Sequence, residues 1–232
     1  MTNATSDASG SPLDSLGIVT APVLVREQAL DRLRDAIING QFAPGTRLIE
    51  RELCEAMGVS RTSIREVLRQ LEAERLIQVE PRKGPTVARV TRAQAQEIYD
   101  IRGYLEGLLV QRFIDNANPQ QTRQLEALFE EFAGAAGESN IMRAVALMAQ
   151  FYAHISSVAQ AEVVNDILSQ LTARVSYLRA TSMSQPGRMA KSVEEIRLIV
   201  EAIAAGNYAA AQKAAVNHVK AAAAIALSRL PE

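Results

Sequence analysis

The stretch Gly58-Val59-Ser60-Arg61-Thr62-Ser63-Ile64-Arg65-Glu66-Val67-Leu68 constrains this chain more than any other. A glycine suited to a helix stop is followed by a polar helix start and then by apolar residues at helical spacing. At about 100° per residue, Ile64, Val67, Leu68 and Leu71 share roughly one third of the circumference. Arg61, Thr62, Arg65, Glu66 and Arg69 take the other side. Ser60 is placed to cap the first turn with its hydroxyl, where free N–H groups also favour a phosphate. Arg61 and Arg65, four apart, rise together from the exposed face. Arginines presented this way suit guanine edges in a DNA groove, although the same pattern taken alone also describes a solvated surface helix.

The neighbouring segments select between those two descriptions. Residues 48–57 form a short helix that Gly58 ends, which gives helix, glycine turn, helix. Residues 25–39 form an earlier amphipathic helix with Leu30, Leu33 and Ile37 inside, closed by Gly40 and followed by a Pro44-Gly45 turn. Residues 76–80 and 86–90 alternate as two short strands around the basic tip Pro81-Arg82-Lys83-Gly84-Pro85. The pattern predicts a winged helix-turn-helix over residues 21–90, preceded by a disordered tail over residues 1–20.

Residues 24–90 resemble the DNA-binding domain of the GntR transcription regulators. The resemblance rests on Ile-Ile-Asn-Gly-Gln-Phe-Ala-Pro-Gly-Thr-Arg-Leu (37–48), Glu-Arg-Glu-Leu (50–53) and Gly-Val-Ser-Arg-Thr-Ser-Ile-Arg-Glu-Val-Leu (58–68), without a gap. It implies that Arg51, Ser60, Arg61, Thr62 and Arg65 meet DNA and that the wing residues Arg82, Lys83 and Gly84 approach the minor groove. It also implies a double-stranded operator, a short palindrome read by a homodimer.

From Thr91 onward no strand pattern occurs. Thr91-Arg92-Ala93-Gln94 is a capping box that opens a long helix with Ile98, Ile101, Leu105, Leu108 and Leu109 on its inner face. Asn118-Pro119 caps a second helix to about residue 132. A looser Gly-Ala-Ala-Gly-Glu-Ser-Asn stretch follows. Helices over about 140–158, 161–183, 188–205 and 207–229 complete the pattern, with a break at Gln185-Pro186-Gly187. The fold class is therefore mostly α: the winged head, then an all-α antiparallel bundle of six or seven helices over residues 91–232, able to enclose a cavity.

Composition narrows the function. Tryptophan is absent, and the single Cys54 excludes an internal disulfide. No apolar run is long enough to span a membrane, and the first 20 residues lack a signal-peptide pattern, so a cytoplasmic protein is expected. Two histidines, no glycine-rich phosphate loop and no Glu-x-x-His pair argue against an enzyme.

The bundle resembles the FCD effector domain, which accompanies this head in the FadR-like branch. The matching runs are Glu-Ile-Tyr-Asp-Ile-Arg-Gly-Tyr-Leu-Glu (97–106), Phe151 with its helix, Glu-Ala-Ile-Ala-Ala-Gly-Asn-Tyr-Ala-Ala-Ala (201–211) and Asn217-His218-Val219. Many FCD domains hold a divalent metal with one aspartate and three histidines. Here Met148, Tyr152, Ile196 and His218 occupy those positions, a set ill suited to a transition metal, and His154 falls on the wrong side of its helix. No cofactor is expected.

The resemblance makes Arg102 the anchor for a small-molecule effector, a carboxylate gripped by guanidinium or a larger, more apolar ligand. Tyr152, Arg174, Tyr177 and His218 would add hydrogen bonds. The bland alternatives are that Arg102 pairs with a nearby acid, that His218 is a core histidine, and that Arg174 and Tyr177 are surface or interface residues. The expected function is a DNA-binding regulator modulated by such an effector; the alternative is a DNA-binding protein whose helical domain only dimerises.

Overall fold

The computed structural model describes residues 23–138, 140–178, 185 and 187–230. The tail expected over residues 1–20 and Pro186 of the expected break lie outside them.

The head follows the predicted order, and its three helices close on one apolar core. Helix α1 (Val23–Ile38) contributes Ala29, Leu33 and Ile37. Helix α2 (Glu50–Met57) contributes Leu53, and Gly58 ends it in the left-handed conformation, its N–H on the Cys54 carbonyl at 3.0 Å. Helix α3 (Arg61–Ala73) buries Ile64, Val67, Leu68 and Leu71, the stripe that the spacing predicts. The Ser60 hydroxyl accepts the Ser63 N–H at 3.1 Å, so the cap is as expected. Cys54 is half-buried and packs on this core.

Helix α2 starts two residues later than the sequence suggests, because residues 45–48 serve the wing instead. Strands β1 (Ile77–Glu80) and β2 (Gly84–Val87) pair antiparallel, with Ile77 opposite Val87 and Glu80 opposite Gly84. The loop after Pro44 joins them from the other side. Gly45 N–H reaches Val87 O at 2.8 Å, Leu48 N–H reaches Pro85 O at 2.9 Å, and Arg47 bridges Thr86. Strand β2 also begins two residues earlier than expected. Arg82 and Gly84 both adopt positive φ (68° and 80°), which turns the chain within three residues.

Gly45 holds this pairing at φ 86°, and a Cβ there would stand 2.4 Å from the Arg89 guanidinium. An L side chain pays about 1–2 kcal/mol in that region. Gly45→Ala is therefore expected to lower head stability by at least that amount in urea unfolding, and an unchanged midpoint would contradict the assignment.

Six further helices, each lying within the described residues, build the bundle: α4 (Arg92–Asn116), α5 (Pro119–Gly137), α6 (Ile141–Ala159), α7 (Glu162–Arg174), α8 (Arg188–Ala204) and α9 (Tyr208–Leu227). The predicted capping box at Thr91 and the predicted cap at Asn118 both form. Thr91 Oγ1 accepts the Gln94 N–H at 3.2 Å, and Gln94 answers to the Thr91 N–H at 3.1 Å. Asn118 Oδ1 accepts from Gln120 and Gln121, both at 2.9 Å. Helix α5 runs past residue 132 through Gly134 to Gly137. Phe129, Phe132 and Ala135 are buried in the bundle core, and their packing outweighs the cost of a mid-helix glycine, about 1 kcal/mol. Helix α7 stops at Arg174 rather than near residue 183; residues 179–184 lie outside the described residues.

The α4 face also differs from expectation. Ile98 and Leu109 are buried, yet Ile101 is 47% exposed and Leu105 and Leu108 are only half-buried. The buried stripe runs instead through Tyr99, Gly103, Glu106, Gly107, Val110 and Phe113. The two glycines let α9 come close: a Cβ on Gly107 would lie 2.9 Å from Gln212 Cγ, and one on Gly103 would lie 3.8 Å from Val216. A wheel weighted by large apolar residues cannot register a contact face made of glycine.

Candidate functional site

The polar face of α3 stands clear of the core. Ser60, Arg61, Thr62 and Arg65 are exposed, as is Arg51 on α2. Two of the arginines carry loose acidic partners: Arg65 Nε donates to Glu50 Oε2 at 3.0 Å, and Arg51 sits 3.4 Å from Glu55. Exposed pairs of this kind contribute about 0–1 kcal/mol, so a phosphate or a base edge competes for either guanidinium. The wing tip is exposed too. Arg82 crowns it, and Lys83 donates to Glu80 at 2.8 Å, which with further hydrogen bonds from Gln78 and Thr86 holds the Glu80 carboxyl below its ordinary range against the opposing effect of desolvation.

One basic residue escaped the sequence argument. Arg47, exposed on the bridge to β2, lines a shallow hollow of about 330 Å³ with Arg51 and Arg61. Its signal was the Pro-Gly turn just before it, which hands the chain to a strand-like segment rather than to a helix. The structure therefore gathers Arg47, Arg51 and Arg61 on one flank of α3, with Arg65 and Thr62 along its length.

The second candidate site lies in the bundle. A hollow of about 220 Å³ opens between α4, α6 and α7, and both Arg102 and Tyr152 line it. The Arg102 and Glu106 side chains are only 11% and 5% exposed, and Arg102 Nη2 donates to Glu106 Oε1 at 2.7 Å. The guanidinium carbon lies 5.2 Å from the Tyr99 ring centroid. Arg102 Nε is buried and has no partner among the described residues. Burial alone would disfavour the charge on Arg102, but the Glu106 carboxylate more than restores it, and its pKa is raised. Tyr152 packs edge-on against Phe151, with centroids 5.6 Å apart.

The other expected effector residues are elsewhere. Arg174 and Tyr177 lie at the joint between bundle and head, in a tight crevice whose far wall includes Phe42, Pro44 and Leu76. Tyr177 shares a hydrogen bond with the backbone of Val90, and its burial raises the phenol pKa. His218 on α9 meets Glu195 on α8, Nδ1 to Oε2 at 2.8 Å, and Glu195 in turn accepts Arg188 at 2.7 and 2.8 Å. Burial pushes the Glu195 carboxyl up, but His218 and Arg188 together hold it below its ordinary range. His154 contacts the Gln121 carbonyl at 2.8 Å and stacks edge-on with Phe113, the position of a satisfied structural histidine.

The residues at the family's metal positions do not fit a metal. Met148 and Ile196 are buried in the apolar core, with Tyr152 packed against it. His218 is engaged by Glu195. Among the described residues no three of His, Cys, Asp and Glu converge as a ligand set. Thioether, phenol and alkyl side chains cannot replace an aspartate and two imidazoles.

Residues 25–87 match the family model described as bacterial regulatory proteins of the gntR family, and residues 97–221, more than half of the chain, match the FCD domain. The chain belongs to the GntR family. Two relatives span most of the length of this GntR chain. The HTH-type transcriptional regulator YdhC of Bacillus subtilis is 29% identical over 195 residues, 82% of this chain and 86% of the relative. The HTH-type transcriptional regulator McbR of Escherichia coli is 27% identical over 182 residues, 77% and 81% of the two chains. The solved structure of Escherichia coli McbR/YncC shares the fold with a TM-score of 0.75 at 24% identity, covering 91% of this chain and 99% of that one. A DNA-binding transcriptional regulator with an FCD domain, not an enzyme, is what these matches establish. No helix among the described residues is long and apolar enough to cross a membrane.

Proposed function

We propose that this GntR chain binds a palindromic operator as a homodimer and that a small organic acid in the α4–α6–α7 hollow modulates its affinity. One observation supports the effector part most: a buried guanidinium with an unpartnered N–H lines a hollow one helix away from the head. Helix α7 makes the connection. Its Leu168 and Thr172 line the hollow, and the next residue, Ala173, packs on the apolar core of the head. No residue of α7 is fully buried, so it is held less firmly than its neighbours and shifts at lower cost. The operator contacts are assigned to Arg51, Ser60, Arg61, Thr62 and Arg65, with Arg82, Lys83 and Gly84 at the minor groove. The dimer seam is assigned to the exposed strip on α4, where Ile101 and Tyr104 are uncovered.

The test is a panel of organic acids, amino acids included, read by thermal shift and by operator anisotropy on the same protein. At least one is expected to raise the melting temperature and to change operator affinity about fivefold or more, the low end of ordinary allosteric coupling. If none does, the bundle serves dimerisation alone.

A further inference from the structure

Glu106 separates the α4 hollow from a plain anion pocket. It lies one helical turn beyond Arg102, nearly buried, and gives the guanidinium a single oxygen, Oε1. Among the described residues no group meets its second oxygen, and none meets Arg102 Nε. The two side chains thus present a fixed pair of opposite charges, each with bonding capacity left over.

A simple carboxylate fares poorly against such a pair. The attraction of Arg102 is offset by repulsion from Glu106 one hydrogen bond away, and both act in a poorly screened interior. A ligand carrying both charges faces no such conflict. Its carboxylate accepts from the free edge of Arg102 while its ammonium donates to the free oxygen of Glu106, both as charge-assisted bonds. We infer that the hollow takes a zwitterion of amino-acid size, an ammonium and a carboxylate on neighbouring carbons. This deepens the effector reading above and rests on it.

The rest of the hollow agrees with that ligand. At about 220 Å³ it falls below the ~300–1,000 Å³ of drug-sized pockets, which limits the occupant to a small metabolite. Leu109, Ala153 and Leu168 supply an apolar wall for a side chain, while Ser169 and Thr172 supply hydroxyls from α7. Ligand bonds to those hydroxyls would touch the helix that reaches the head.

The experiment uses the full-length protein and matched triplets: each of the twenty common L-amino acids, its 2-hydroxy acid lacking the ammonium, and its amine lacking the carboxylate. Binding is measured by calorimetry after a thermal-shift screen. At least one amino acid is expected to bind on the order of tenfold tighter than both of its partners, the cost of losing one charged hydrogen bond. Glu106→Gln, checked for native circular dichroism, is expected to erase that preference and to improve the hydroxy acid. Hydroxy acids binding the wild type as tightly as amino acids would overturn the zwitterion and leave an acid-binding hollow standing. No saturable binding by any triplet member would overturn both. The ligand comparison on unaltered protein decides the matter even if the Gln variant does not fold.

Discussion

Replacing Arg61 and Arg65 together by alanine is expected to weaken specific operator binding at least about thirtyfold while the protein stays folded. Each arginine that forks onto a base edge is worth roughly 1–3 kcal/mol of discrimination, and the two stand one turn apart on the exposed face of α3. The fold has little at stake in either. The core face of α3 is made by Ile64, Val67, Leu68 and Leu71, which the substitutions do not touch. The one ion pair lost among the described residues, Arg65 to Glu50, joins side chains that are 61% and 34% exposed and is worth about 1 kcal/mol or less. Alanine also suits a helix better than arginine does. The measurement is anisotropy of a duplex selected from a random pool, at fixed salt, because the phosphate contribution scales with ionic strength. Residual binding should be weak, salt-sensitive and indifferent to sequence, carried by Arg47, Arg51 and the wing. Unchanged affinity for the selected duplex, with native circular dichroism, would remove α3 from the interface.

The head was legible in the sequence because its determinants are local. A cap, a left-handed glycine and an apolar stripe lie within a dozen residues, and each forms as the spacing predicts. What the sequence hid depends on distant partners. Residues 45–48 look like the run-up to a helix, and only β2 turns them into an edge of the wing. Gly134 looks like a helix breaker until the phenylalanines beside it find the bundle core. Gly103 and Gly107 look like weak points in α4 and prove to be its contact face. In the candidate effector site the sequence supplied Arg102 and Tyr152, which share a hollow. It also suggested Arg174, Tyr177 and His218, which the fold distributes to the joint and to the α8–α9 pair. Glu106 was within reach as the acid four residues past Arg102. Arg188 and Glu195 were missed altogether. Their seven-residue spacing places them two turns apart on one face of α8, but nothing local announces that this face turns inward.

That missed cluster yields the other large effect. Glu195→Gln is expected to destabilise the protein by about 3–5 kcal/mol, the usual cost of removing one partner from a buried pair. Arg188 is 1% exposed, and both of its terminal nitrogens donate to Glu195. Its Nε is already without a partner, so the carboxylate is its sole counter-charge among the described residues. The glutamine keeps the shape and one acceptor but leaves the cation in the interior. The control is Arg188→Met with Glu195→Gln, which removes charge from both sides and should recover most of the loss. The pH dependence follows from the same geometry. Arg188 on α8 and His218 on α9 keep the folded-state pKa of Glu195 below its unfolded value. Its contribution is therefore complete above the unfolded glutamate value, about pH 4.3, and is lost as pH falls through the lower folded value. Urea unfolding should show the gap between wild type and Glu195→Gln at full size near neutrality and narrowing through the acid range. A variant as stable as the wild type at pH 7 would mean that Arg188 finds compensation elsewhere. A gap that widened as pH fell would reverse the sign of the linkage and with it the view that the carboxylate, rather than the carboxylic acid, joins α8 to α9.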